Sequence, residues 1–205
     1  MAQLLKDELR EAIISSGKEE FLKYGYEEAS MRRIAAKANM TVGNLYHYFK
    51  NKEEINNSIV SPAINKINSE LKRITRETID FSSLSFRLNF SKINISKAVE
   101  ELSNKLADIY FEDKDVFRIM LFHSKSCDSL LLWFTRLVEY LISVTYGKLA
   151  KKQKIFAKAI SVGMMDGIKI FFKDDSIEQE NLKTMLRIYI QAYLSMLDGK
   201  KVVGE

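Results

Sequence analysis

Apolar side chains recur at spacings of three and four along most of the chain, the period of helices with one buried face. Leu5, Leu9, Ile13, Phe21 and Tyr24 predict a first helix over 3–24. Gly25 ends it, because glycine enters the left-handed region without strain. Three short helices are expected next. Ser30 caps one over 31–38, with Ile34, Ala35 and Ala38 on one side, and Thr41 caps another over 42–48, with Leu45 inward. Asn51 starts a third, and Glu54 three residues on completes a capping box. Between the first two lies Ala38-Asn39-Met40, whose asparagine tolerates a left-handed turn.

The helix from 52 meets Pro62, which lacks a backbone donor, so a kink or a break is expected there, with helix resuming to about residue 79. In 81–95, Leu84, Phe86, Leu88 and Phe90 alternate at period two, a strand signal. With no second strand candidate nearby, an extended loop or an irregular helix fits equally well. Further helices are predicted at 96–111, 114–123, 128–147, 151–172 and 177–198. Ser176 with Gln179 suggests another capping box, and Gly199 a C-terminal stop. The pattern is all-α: a three-helix N-terminal unit over 1–60 and a larger helical unit over 61–205, divided within a helix.

Composition agrees, since 8 Gly and 1 Pro in 205 residues are too few for a many-turned sandwich or barrel. The single cysteine, Cys127, allows no internal disulfide and suits a reducing cytoplasm. The N-terminal stretch has no apolar signal core, and the most apolar run, Leu130 to Val144, is interrupted by Arg136 and Glu139, so a membrane span is not expected. Charge is more informative locally than globally. The chain carries 32 Lys+Arg against 27 Asp+Glu, a net +5. Residues 1–60 are neutral as a block, yet 29–52 hold Arg32, Arg33, Lys37, Lys50 and Lys52 with no acid.

Two short helices joined by a tight turn, the second capped by Thr41, make a helix-turn-helix over about 30–49. In such motifs the second helix enters the major groove. Its candidate reading positions are Thr41, Val42, Gly43, Asn44, Tyr46 and His47. Val42 suits a thymine methyl, Asn44 suits the donor–acceptor edge of adenine, and Gly43 lets the backbone come close. His47 as a metal ligand or base lacks partners at ligand spacing, and Arg33 reads as a solvated cation.

Residues 7–55, especially FLKYGYEEASMRRIAAKANMTVGNLYHYFKNKEEI, resemble the DNA-binding domain of the TetR family of transcriptional regulators. The matching positions include Phe21, Gly25-Tyr26, Ser30, Ile34-Ala35, Ala38, Thr41, Gly43, Leu45-Tyr46, Tyr48-Phe49, Lys52-Glu53 and Ile55. Asn39 stands where the family usually has glycine, and Met31 where a small hydroxyl residue or valine is common. The resemblance implies that Arg32 reaches phosphate or a base, that Tyr46 and Lys52 meet phosphates, and that His47 lies at the groove. Tyr48 either meets phosphate or packs. It further implies a homodimeric, ligand-responsive repressor that binds a palindromic double-stranded operator and releases it to a small apolar or aromatic effector.

Within the larger unit, Phe86, Phe90, Phe117, Phe122, Trp133, Phe134 and Tyr140 are candidates for lining an effector pocket. By the same resemblance the last two helices pair with a second copy, through Ile160, Gly163, Met164, Gly167, Ile168, Met185, Tyr189 and Tyr193. His123 and Cys127 stand four apart, but the Ser124–Ser126 stretch reads as a helix break that spoils a metal site. No cofactor, no metal and no catalytic motif are expected. The competing reading is a helical interaction module that keeps the motif for packing without binding DNA.

Overall fold

The computed structural model describes residues 2–75, 94–123, 128–147 and 149–197, and every regular element among them is an α-helix. In chain order these are α1 (Ala2–Glu28), α2 (Met31–Lys37), α3 (Val42–Tyr48), α4 (Lys52–Thr75), α5 (Ile95–Glu112), α6 (Lys114–His123), α7 (Asp128–Tyr146), α8 (Lys151–Phe171) and α9 (Gln179–Ser195). The alternating stretch, apart from Asn94 and Ile95 at the start of α5, lies outside the described residues, as do Cys127 and Gly199.

Two compact units emerge, Met1–Asn65 with Asp113–Ser126, and Lys66–Glu112 with Cys127–Glu205. The division falls inside α4, and α6 groups with the first unit, where it packs against α1. In the first unit Ile13, Phe21, Ile34, Leu45 and Ile55 are wholly buried. Ile13, Phe21, Ile34 and Leu45 stand on inward faces as their spacing predicted, whereas Leu5 and Tyr24, in the same predicted first helix, are exposed. α1 leaves helical geometry at Gly25 (φ 73°, ψ 173°), where the glycine stop was expected. At Gly17 a Cβ would stand 2.6 Å from Ile55 Cγ2, so the absence of a side chain sets how closely α1 and α4 approach.

Helix α4 runs through Pro62 without a break. The second unit packs α5 on α9, α7 on α8 and α8 on α9. Asp108 of α5 accepts from Lys183 Nζ at 3.0 Å and Gln179 Nε2 at 2.8 Å, tying down the start of α9. That engagement of Gln179 removes it from the expected capping box. Ser176 instead donates its N–H and hydroxyl to Asp174 Oδ1, and α9 starts at Gln179 behind Glu178. On α8, a Cβ at Gly167 would collide with the Tyr189 hydroxyl, so this glycine makes room for an α9 side chain of the same chain. Tyr189 stacks edge-on against Phe171 and tilts against Tyr193. No helix among the described residues is long and apolar enough to cross a membrane.

Candidate nucleic-acid interface

The turn between α2 and α3 is built from backbone bonds that end one helix and a side chain that starts the next. Asn39 adopts φ 59°, the left-handed conformation anticipated for it. Asn39 N–H then donates to Ala36 O at 3.2 Å and Met40 N–H to Ala35 O at 3.0 Å, the paired bonds of a Schellman stop. One residue later Thr41 Oγ1 accepts from Asn44 N–H at 3.1 Å, capping α3. Such a cap contributes about 1 kcal/mol. Leu45, wholly buried, anchors the inward side of α3.

The outer side of α3 is open. Thr41, Gly43, Asn44, Tyr46 and His47 are exposed, while Val42 and Tyr48 are half-buried. No atom comes within 4 Å of where a Gly43 Cβ would sit. The reading positions predicted for the helix therefore share one accessible surface. Arg32, at the start of α2, is also exposed and makes no ion pair among the described residues. At the start of α4, Asn51 Oδ1 accepts from Glu54 N–H at 2.9 Å, as its capping pattern required. The Glu54 carboxylate reaches one residue further back than the standard box, to Lys50 N–H at 2.7 Å.

The cations are arranged differently from their sequence pattern. Arg33 keeps about half of its side chain in solvent but is tied to its neighbours. Its Nε donates to Glu20 Oε1 at 2.6 Å, its Nη2 to Glu28 O at 2.6 Å, and its guanidinium lies 4.3 Å from the centre of the Tyr24 ring. Lys37 lies 3.5 Å from Glu19 and 3.9 Å from Glu20. Lys52 donates to Tyr26 O and Glu27 O, each at 2.7 Å, and sits over the Tyr26 ring. Two of its three N–H bonds therefore close the chain just after Gly25, leaving one for a phosphate. Within the basic stretch, only Arg32 and Lys50 have side chains with no ion pair or hydrogen bond among the described residues.

Glu20 is the residue that local charge reading missed. Its side chain is fully buried and also accepts Ser30 N–H at 3.1 Å. Ser30 occupies the N-cap position of α2 but makes no side-chain cap, since the Glu20 carboxylate from α1 stands at that helix end instead. A negative group there also complements the helix dipole. A sequence signal did exist: with Ile13 and Gly17, position 20 falls on the buried face of α1.

The remaining candidates separate. Phe117 and Phe122 are on α6 with the first unit; Trp133, Phe134 and Tyr140 are on α7 in the second. Trp133 and Phe134 are wholly buried and meet edge to face at 5.2 Å. Phe86 and Phe90 lie outside the described residues. Of the positions assigned to pairing with a second copy, Met164 and Ile168 are wholly buried within the chain itself. Gly163 and Met185 are exposed, and Ile160, Gly167, Tyr189 and Tyr193 are half-buried. Among the described residues no group of three or more His, Cys, Asp or Glu side chains is placed to hold a metal ion.

Residues 13–59 match the family of bacterial regulatory proteins described as the tetR family. No curated protein sequence matches the chain. Among solved structures, the fatty acid degradation regulator FadR from Bacillus halodurans is similar at 17% identity, covering 90% of this chain and 94% of its own, with a TM-score of 0.56. A TetR-like transcriptional regulator from Rhodococcus sp. RHA1 gives 14% identity, coverage of 91% and 96%, and a TM-score of 0.57. NalD, described as the secondary repressor of the MexAB-OprM multidrug efflux pump in Pseudomonas aeruginosa, gives 15%, 92%, 96% and 0.52. At these identities the likeness carries the fold.

Proposed function

We propose that the chain, whose residues 13–59 match the tetR family of bacterial regulatory proteins, is a DNA-binding transcriptional regulator of that kind and a homodimeric repressor released from its operator by a small ligand. Regulators of this family work by binding and not by catalysis. The observation that carries the reading is the outer surface of α3, where a capped N-terminus, a bare backbone at Gly43 and Asn44, Tyr46 and His47 are exposed together. In this reading α3 lies in the major groove, Val42 meets a thymine methyl and Asn44 an adenine edge. Thr41, Tyr46, Tyr48, Arg32 and the remaining N–H of Lys52 hold the phosphates on either side.

The second copy meets α8 and α9, which neighbour each other and expose Ile155, Val162, Gly163, Ile170, Ile188 and Met196. Two-fold pairing sets the half-sites of a palindromic operator about 34–36 Å apart, or a multiple of that. The effector belongs in the helical domain after α4, where α7 supplies Trp133, Phe134 and Tyr140, and its chemistry is apolar or aromatic. It must prefer the released conformation, because equal affinity for both states would shift nothing. Cytoplasmic operation follows from this role.

A mobility shift with the DNA upstream of the chain's own coding sequence, at two salt concentrations, tests the reading. Specific, salt-sensitive binding is expected, and Asn44→Ala should relax preference at one base pair by about 1–3 kcal/mol. Equal loss of affinity for every sequence would remove Asn44 from base reading. Absence of any duplex binding would favour the packing-module alternative.

A further inference from the structure

The first helix of the motif carries three cations, Arg32, Arg33 and Lys37, and beneath it lies one fully buried carboxylate, Glu20. Glu20 Oε1 receives Ser30 N–H at 3.1 Å and Arg33 Nε at 2.6 Å. Its Oε2 has no hydrogen-bond partner among the described residues and faces Lys37 Nζ at 3.9 Å. A glutamine of the same shape would keep an acceptor for both Ser30 and Arg33. What the glutamate adds is therefore charge and not connectivity. That charge is placed in the interior, where a carboxylate meets a desolvation penalty that a glutamine would not. Arg33 and Lys37 are both partly exposed, so neither needs a counter-ion for the sake of folding.

We propose that Glu20 is a specificity-determining residue for DNA binding. Its buried negative charge opposes Arg33 and, together with Glu19 at 3.5 Å, Lys37, so that α2 offers Arg32 alone to a phosphate backbone. Arg33 is in addition turned inward by Glu28 O and the Tyr24 ring. Sequence-independent affinity comes from counterion release by cations that reach phosphates. Holding two of them back lowers affinity for arbitrary duplex while leaving the base-reading side chains of α3 untouched. The ratio of specific to non-specific binding rises accordingly. This inference rests on the DNA-binding reading of the same motif.

Glu20→Gln tests it on a duplex of random sequence between about 50 and 200 mM salt. Removing the charge that opposes Arg33 and Lys37, with the hydrogen bonds kept, should steepen the slope of log affinity against log salt by about one unit, and raise low-salt affinity several-fold. Glu20→Asp keeps the charge while disturbing the hydrogen bonds, and should leave the slope as in the wild type. An unchanged slope in Glu20→Gln overturns the inference. Lys37→Gln guards against a folding defect in the buried variant, since it alters only an outward-reaching side chain. It should leave the slope unchanged, because Lys37 is held off phosphate; a slope shallower by about one unit shows Lys37 on the backbone and overturns the inference. If the wild-type chain binds no duplex at either salt concentration, the DNA-binding reading fails, and this inference with it.

Discussion

An alanine at Gly43 would meet open space, and it would remove the roughly 1 kcal/mol that glycine costs within a helix. Gly43→Ala is therefore expected to raise the melting temperature by about 2–4 °C. The same methyl projects from the exposed reading surface, so affinity for the operator should fall. A melt and a titration on one preparation check both, and undiminished operator binding would show that the backbone does not approach DNA there. The Thr41 cap and the Asn39 turn were legible in the sequence because their roles are local, set by residues within three or four positions. The pairing of Arg33 was not legible for the opposite reason. Its counter-charge lies on α1, thirteen positions away, and only folding brings Glu20 under α2.

Helix pairs depend on contacts that periodicity does not specify. Gly17 illustrates this, since nothing in the local pattern marks it, yet its bare Cα faces Ile55 across the α1–α4 crossing. Gly17→Val should destabilise the fold by about 1–3 kcal/mol through overpacking, measurable by urea titration. A neutral result would mean that Ile55 can swing aside. The start of α6 shows an electrostatic tie. Asp113 accepts Val116 N–H at 3.0 Å as a cap and holds Lys18 of α1 at 2.9 Å. Burial pushes its carboxyl upward, but the Val116 N–H, the Lys18 ammonium and the Asp115 N–H outweigh that and hold it below the usual aspartate range. A depressed carboxyl stabilises the fold above its unfolded value near 3.9 and loses that contribution as pH falls through the folded value. Asp113→Asn should thus lower the melting temperature at neutral pH, and the gap from wild type should close on acidification below about pH 4. A gap independent of pH would assign the effect to packing. Helix limits were otherwise readable to within a few residues, the capping prediction at Ser176 failing because Gln179 bonds Asp108 on another helix.

For the whole molecule, the proposed two-fold assembly makes the clearest demand. Ile188 on α9 is 59% exposed in the single chain, a large apolar area to leave in water. Ile188→Glu should leave the helical content intact and shift the sedimentation profile from dimer towards monomer, with loss of operator affinity. A profile identical to wild type would place the pairing surface elsewhere. The all-α architecture was evident in the sequence, because helical periodicity and scarce turn residues are properties of the entire chain. The grouping of α6 with the N-terminal helices was not, since no local pattern reveals which distant helix will cover α1.

That grouping also bears on how the protein is made. The helix-turn-helix is synthesised before α6, so the α1 surface that α6 covers stays open until the chain has grown past His123. At roughly 5–20 residues per second, several seconds separate the emergence of the motif from that of its last packing partner. A nascent chain halted before α6 would carry the reading helix without its full support. Competence to recognise DNA is therefore expected to arise late in synthesis, after most of α5 and α6 has left the ribosome.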